Sequence, residues 1–382
     1  MKIALVNDHL HGGGAEVHVH ALAGLLRSAG HEVHLITGRP RLIHYVSRWF
    51  NPWLVWVLWR EFRRIRPDVI HVHKFNLVWS IAPFLAGRLL GIPVVATLHD
   101  CALVCPDGWG LDNNGQVCQR LFGGHCFNLK CGRSRNGWKW SLFRRYNFVR
   151  NVIHMWGVRR WASRTIAPST FLTEWVGRFL GDRSFRLPLF VDAPPTCPAP
   201  ASGDGPLRLF FAGRIQQEKG LQFLLEAMVG RNVSLRVAGD GSYLPVLRDM
   251  ASRLGVRVEW LGSLDGAAVA HEISGAEVCV LPSLWVENTP VFAFEAMRGA
   301  RALVASRVGG FPDLIAEGVN GLLAERESAA ALGEVVDRLL GDRPSVAAMG
   351  IAGYERLRQQ WTAARHLQEL ENHYRAAMRG GR

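Results

Sequence analysis

Residues 278–299 read VCVLPSLWVENTPVFAFEAMRG. Val278 to Leu281 is a short unbroken apolar run, as expected of a strand buried on both faces of a parallel sheet. A loop carrying Glu287, Asn288 and Thr289 follows, and a helix holding Glu295 opens at Pro290. This order of elements leaves free amide N–H groups and the positive end of a helix dipole at the carboxyl edge of a strand, a place that binds phosphate. Glu287 and Glu295 stand eight residues apart, one on the loop and one in the second helical turn, so both can face one cleft. Two carboxylates repel phosphate but accept hydrogen bonds from sugar hydroxyls. The pair therefore suggests a nucleotide-diphosphate sugar, with hydroxyls on both sides of a phosphate. Without its surroundings, it reads as a solvated loop residue and an ordinary helix glutamate.

The surroundings decide between these readings. The segment SLWVENTPVFAFEAMRGARALVASRVGGFPDLIAEGVNGLL, residues 283–323, resembles the donor-site signature of retaining glycosyltransferases of the family 4 type, which have the GT-B fold. The resemblance covers nearly the whole chain and is strongest from Arg208 to Leu323. It implies two Rossmann-like, doubly wound α/β domains facing a central cleft. Asp313 stands where the family usually has glutamate, a mild departure.

The remaining strands fit that plan. Lys2 to Val6 runs into Gly12, Gly13 and Gly14, then a helical pattern to Gly30 and an alternating strand from His31 to Thr37. The glycine turn lacks the dinucleotide spacing G-x-G-x-x-G. In the resembled family, a GG-x-E turn faces the donor diphosphate, which marks Gly13 and Gly14. Asp68 to His73 and Pro93 to His99 read as further strands. His71 reads as packed, while His73 and His99 stand at strand ends where α/β proteins bind ligands. The resemblance places His99 beside the transferred sugar and leaves His73 on the acceptor side. Arg164 to Ser169 closes the first sheet. Pro188 to Pro206 is rich in proline and small residues and is the natural linker. The expected organisation is an N-terminal domain over 1–190, a linker over 191–206, a donor domain over 207–360, and a helix over 361–382 crossing back. Arg214 and Lys219 lie at the carboxyl end of the Leu207 to Phe211 strand, within the family's GR-xxxx-KG motif.

The resemblance assigns roles to these residues. Glu295 is expected to accept from the ribose and Glu287 from the sugar hydroxyls. Arg214 and Lys219, with His99, complete the catalytic set, the two cations stabilising the leaving diphosphate. Backbone N–H groups from Asn288, Thr289 and Val291 around Pro290, with the Gly13-Gly14 turn, would assist. No D-x-D motif is present to hold a divalent ion, so a metal-independent reacting centre is expected. The implied activity is a hexosyl or related transfer, with retention, to a glycan or lipid-linked acceptor in surface polysaccharide or glycolipid synthesis. Two other classes fit parts of the sequence: a sugar-nucleotide enzyme such as an epimerase on the same fold, and a non-catalytic basic module for nucleic acid.

The chain has 382 residues, enough for two cores, and is 48% hydrophobic and 20% charged. No apolar run reaches the eighteen residues of a spanning helix, and the start does not resemble a signal peptide. The expected location is cytoplasmic, with peripheral attachment to the inner face of the cell membrane. Net charge is +13, and its excess is concentrated. Between Asn113 and Thr173 there is no Asp or Glu, and eleven Lys and Arg residues occur. Trp138, Trp140, Phe143, Tyr146, Phe148, Trp156 and Trp161 are interleaved among them. Basic residues with aromatics suit single-stranded nucleic acid, but no nucleic-acid fold motif accompanies them. Leu42 to Arg66 places Trp49, Trp53, Trp56 and Trp59 near helical spacing before a basic cluster, and it reads as a helix packed on the sheet. Its Trp and Arg also favour an anionic membrane surface, so no nucleic-acid partner is expected.

Asp100 to Cys131 is loop-rich, with Cys105, Cys118, Cys126 and Cys131, and opens a Cys-containing basic insert over 100–164 of the first domain. Four thiolates would suit a structural zinc, although no C-x2-C pair occurs, and free or redox-active thiols are the other reading. An HD-xxxx-CP start followed by scattered cysteines resembles a subset of the same glycosyltransferases.

Overall fold

The computed structural model describes residues 1–9, 14–38, 49–112, 114–118, 120, 122–128, 131, 138–201 and 203–380, with backbone alone at 128 and 138–141. The chain divides into one unit formed by Met1–Leu189 with Ala363–Arg382, and another formed by Phe190–Thr362.

The first unit holds β1 (Lys2–Asn7), β2 (Glu32–Thr37), β3 (Val69–Val72), β4 (Val94–Thr97), β5 (Arg164–Ala167) and β6 (Ser184–Arg186). All pair in parallel, in the order β2-β1-β3-β4-β5-β6. The apolar runs of β3 and β4 are wholly buried, as a sheet covered on both faces requires. The sequence reading ended this sheet at β5, but β6 adds an edge strand. At three residues, Ser-Phe-Arg is too short to show an alternating pattern. The helix expected over Leu42 to Arg66 is observed as Pro52–Ile65, and residues 42–48 lie outside the described residues. Asn51 caps it by accepting from the Trp53 amide at 3.0 Å, Pro52 occupies the first turn, and Arg66 ends it in a left-handed conformation. Leu54, Val55, Leu58, Phe62 and Ile65 form its buried face.

The second unit holds β7 (Leu207–Ala212), β8 (Val233–Ala238), β9 (Val258–Gly262), β10 (Val278–Leu281), β11 (Ala302–Ser306) and β12 (Gly321–Ala324). Their order is β12-β11-β10-β7-β8-β9, again all parallel. Leu209, Val237, Val280, Val304 and Leu322 from five strands pack in one core with Leu224, Leu247 and Val336 from the covering helices. Each such side chain contributes roughly 1.5–3 kcal/mol when removed from water.

In both sheets the strand order reverses once, between β1 and β3 and between β7 and β10. Connections leave such a point toward opposite faces and open a crevice beyond the strand ends, where doubly wound folds bind ligands. The Arg214 to Lys219 turn follows β7, and the loop with Glu287 follows β10. Topology alone therefore brings the two halves of the candidate site together.

Candidate active site

The turn after β7 and the loop after β10 are locked to each other at the backbone. Gly220 has φ of 75°, and a Cβ there would stand 1.8 Å from the Pro282 carbonyl oxygen, so only glycine fits. The Leu284 amide donates to the Glu218 carbonyl at 2.8 Å. From the other side, Gly309 (φ 60°) approaches Glu287 so closely that a Cβ would fall 2.1 Å from its carbonyl oxygen. The Gly310 amide donates to that same oxygen at 2.8 Å. Arg326, largely buried, donates to the Leu284 carbonyl at 2.8 Å.

Within this frame Lys219 Nζ donates to Glu287 Oε1 at 2.5 Å, with both side chains mostly covered. Trp285 Nε1 donates to the same oxygen at 2.7 Å, and Ser283 Oγ at 3.1 Å. Lys219 also stands over the Trp285 ring, 5.2 Å from its centroid. The sequence reading gave Lys219 and Glu287 separate tasks; the structure brings them together as an ion pair. It missed Ser283 and Trp285, which orient the carboxylate from within the quoted stretch. Arg214 is exposed, and its side chain makes no hydrogen bond or ion pair among the described residues. It remains available to an anion.

Asn288 is buried, and the Thr289 hydroxyl is buried without a hydrogen-bond partner among the described residues. Pro290 is extended, and the Val291–Arg298 helix starts without a side-chain cap, so its first amides point past the end of β10. Glu295, in its second turn, lines a pocket of about 330 Å³ with Pro194, Gly266, Ala270, Ile273 and Arg301. Burial raises its carboxyl pKa, and Arg298 opposes the shift. Glu287 does not line that pocket, so the two carboxylates occupy different environments.

In the first unit, Gly13 lies outside the described residues and Gly14 begins the Gly14–Ser28 helix. His73 and His99 meet beyond β3 and β4, with His73 Nδ1 and His99 Nε2 3.0 Å apart. One ring must donate and the other accept. His73 Nε2 is buried without a partner among the described residues. His71 is packed, as expected, and bonds the Tyr374 hydroxyl at 2.7 Å and Thr97 Oγ1 at 2.8 Å. The rings of His18 and His366 complete the cluster, 5.6 Å apart, and His366 Nδ1 donates to the Pro188 carbonyl at 2.7 Å. Burial pushes His71 and His99 down to about 3 and His366 to about 4, and lowers His18 and His73 as well. These are neutral imidazoles. His18 and His366 were not foreseen.

Cys105, Cys118, Cys126 and Cys131 line one small pocket with Arg120, Arg144 and Trp175, and all four are free thiols. Burial raises the Cys131 thiol to about 12, with a further push from the other three cysteines. Among the described residues, no three Cys, His, Asp or Glu side chains are arranged to hold a metal ion.

Two doubly wound parallel sheets, each with its polar loops at the strand reversal, place the chain in the Rossmann-like α/β class. Residues 12–193 match the model for Glycosyltransferase Family 4, and residues 198–356 that for Glycosyl transferases group 1. The chain therefore belongs to the glycosyltransferases of GT-B fold and family 4 type. An uncharacterized glycosyltransferase of Methanocaldococcus jannaschii is 33% identical over 136 residues, 34% of this chain and 35% of that protein. The chain thus matches about a third of that relative's length. A phosphatidyl-myo-inositol mannosyltransferase of Mycolicibacterium smegmatis is 26% identical over 366 residues, 85% of this chain and 82% of that one. Among solved structures, Anabaena HepE in complex with UDP superposes with a TM-score of 0.68 at 17% identity, covering 97% of this chain and 99% of that one.

Proposed function

We propose that this protein moves a sugar from a nucleotide-diphosphate donor to a glycan or lipid-linked acceptor, with retention at the anomeric carbon. The observation that carries the reading is the Lys219–Glu287 pair beside exposed Arg214 at the β7/β10 reversal. An anionic leaving group there meets fixed positive charge, and a sugar meets an oriented carboxylate. HepE, solved with UDP and with UDP-glucose, supports a nucleotide-sugar donor. Arg214 and Lys219 stabilise the departing diphosphate, aided by the first amides of the Val291–Arg298 helix and the Thr289 hydroxyl. Glu295 accepts from the ribose. His99, hydrogen-bonded to His73, serves the transferred sugar, and Gly13 and Gly14 serve the donor diphosphate. Charge stabilisation by protein cations makes the reacting centre independent of divalent metal.

A thermal-shift panel of UDP-, GDP- and ADP-sugars in EDTA tests this reading. One nucleotide sugar at a hundred times its Kd should stabilise the protein by roughly 2.7 kcal/mol. Glu295→Ala should abolish that shift while keeping its own baseline melting temperature. A panel without any shift, or a shift that survives in Glu295→Ala, would sink the donor assignment.

The lipid-linked acceptor and a role in surface polysaccharide or glycolipid synthesis draw on the name of the mannosyltransferase relative, which specifies a phosphatidyl-inositol acceptor for that protein. Among the described residues no helix is long and apolar enough to cross a membrane. The Trp- and Arg-rich face of the first unit supports peripheral attachment to anionic lipid. For the four-cysteine insert, of the HD-xxxx-CP kind, we propose a structural zinc because its four thiols line one pocket, although the described side chains are not already arranged around an ion. Metal analysis of purified protein should find about one zinc per chain, and Cys118→Ser with Cys126→Ser should release it. Metal-free protein with an unchanged melting temperature in chelator would eliminate the zinc.

A further inference from the structure

The Trp138–Trp161 helix carries no Asp or Glu, and Leu142, Val149 and Trp156 recur on it at intervals of seven, one stripe along the helix. Leu142 is 55% and Trp156 56% exposed, unusual values for such residues on a covered face. Trp49 packs beside this stripe: its indole N–H donates to the Tyr146 carbonyl at 3.1 Å, and the two rings lie 5.0 Å apart. Between them opens a slot of about 630 Å³ lined by Trp49, Phe127, Leu142, Phe143, Tyr146 and Val149, with Arg145 the one charged lining residue among the described residues. Arg145 is itself exposed, with its guanidinium 5.2 Å from the Phe127 ring centroid.

A few residues after Trp49, Trp53 and Trp56 stack on each other 4.8 Å apart and face outward, at 64% and 44% exposure. Arg60 and Arg63 lie over the Trp56 and Trp59 rings at 5.4 and 4.6 Å. Arg159 and Arg160, exposed, follow Trp156. An apolar slot with outward indoles and an arginine-rich rim, in which Glu61 is paired with Arg64, differs from an ordinary protein interface, whose rim mixes charges more evenly. Indoles at headgroup depth and arginines at phosphate match the edge of an anionic bilayer. A hydrocarbon chain matches the slot, since its long wall offers little to hydrogen-bond.

We propose that the slot takes the hydrocarbon chain of a phosphate-bearing membrane lipid, with Arg145 meeting the phosphate. The proposal rests on the membrane-attachment reading above and adds the chain as the occupant.

Vesicles of phosphatidylglycerol brominated on the acyl chain test it. Bound protein should lose part of its tryptophan fluorescence to the bromine, and Trp49→Phe should lose less. Leu142→Glu puts a carboxylate in the slot at an exposed position and should weaken vesicle binding on the order of tenfold with the melting temperature unchanged. Binding to phosphatidylglycerol vesicles with Trp49 unquenched and Leu142→Glu without effect would overturn the slot and leave the membrane face standing. No vesicle binding at moderate salt would overturn both. Neither result touches the donor site, because nucleotide-sugar binding is read without lipid. Equal binding of soluble glycerophosphate and of the lipid would also refute the chain as occupant.

Discussion

Lys219→Ala should lower kcat by about 100- to 1,000-fold, the loss typical of removing one preorganised charge donor from a developing anion. The geometry adds a second consequence. Glu287 Oε1 takes hydrogen bonds from Lys219, Trp285 and Ser283, so removing the lysine leaves a mostly covered carboxylate without its counter-charge. That carboxylate then repels the donor diphosphate it had helped to position. The double variant Lys219→Ala with Glu287→Ala should therefore be hardly slower than Lys219→Ala alone, because the two side chains act as a unit. Lys219→Arg should recover only part of the rate, since a planar fork cannot replace a compact ammonium against one carboxylate oxygen. Single-turnover rates with saturating donor measure this without interference from product release. Strictly additive losses would show that the ion pair is incidental, and an unchanged kcat in Lys219→Ala would remove the charge-stabilisation role.

How much of this site could be read in the sequence follows from the distance between its parts. The strand, loop and helix of residues 278–299 were legible because an apolar run, a polar loop and Pro290 follow one another locally. The observed β10 and the Val291–Arg298 helix fall within that stretch. The fold class was legible for the same reason, repeated in both halves of the chain. Lys219 and Glu287 are separated by 68 positions, and motif spacing marked each as a site residue without showing that they bond each other. What joins them is the neighbouring of β7 and β10, a property of strand order. The glycines that hold the frame, Gly220 and Gly309, stand in the sequence at the end of the GR-xxxx-KG motif and within the quoted 283–323 segment. Their need for close backbone approach becomes apparent only when Pro282 and Glu287 are seen against them. The edge strand β6 was too short to signal itself.

The histidines illustrate the limit from the other side. In VIHVH, residues 69–73, alternation puts His71 and His73 on one face of β3, and their rings are 4.1 Å apart. That pair was therefore readable from period-two geometry, although the two residues were assigned separate roles. His366 and Tyr374 reach the cluster from the Ala363–Gly380 helix, about three hundred residues later in the chain. Nothing in the local sequence announces that contact. For the Trp-rich helix, the sequence suggested an amphipathic element with two uses, packing and membrane contact. The structure divides them by face, with Leu58 and Phe62 turned inward and Trp53 and Trp56 outward.

The histidine cluster gives the second large effect: the first unit should come apart between about pH 6 and pH 4.5. His18, His71, His73 and His366 are all buried. Burial lowers all four, with the neighbouring imidazoles adding to the shift, so that His71 falls to about 3 and His366 to about 4. A histidine whose folded pKa lies below its unfolded value contributes stability that is complete above the unfolded value, near 6.5. That stability is lost as the pH falls toward the folded value, because the unfolded chain then binds more protons. Four such groups give a slope on the order of 5 kcal/mol per pH unit below pH 6, comparable within two units to the whole stability of a domain. Asp8 works in the opposite direction, since burial raises its pKa and folding then favours its protonated form at low pH; it is one group against four. Lys74 Nζ pairs with Glu16 at 3.2 Å beside the cluster. Melting followed from pH 7.5 to 4.5, with hydrogen exchange resolved by peptide, should show protection in β1, β3 and β4 collapsing first. The His71→Phe variant, which forfeits two hydrogen bonds, should melt lower at pH 7.5 but with a shallower acid slope. A melting temperature that stays flat from pH 7 to 5, or the same slope in His71→Phe, would show that these imidazoles take up protons without opening the fold.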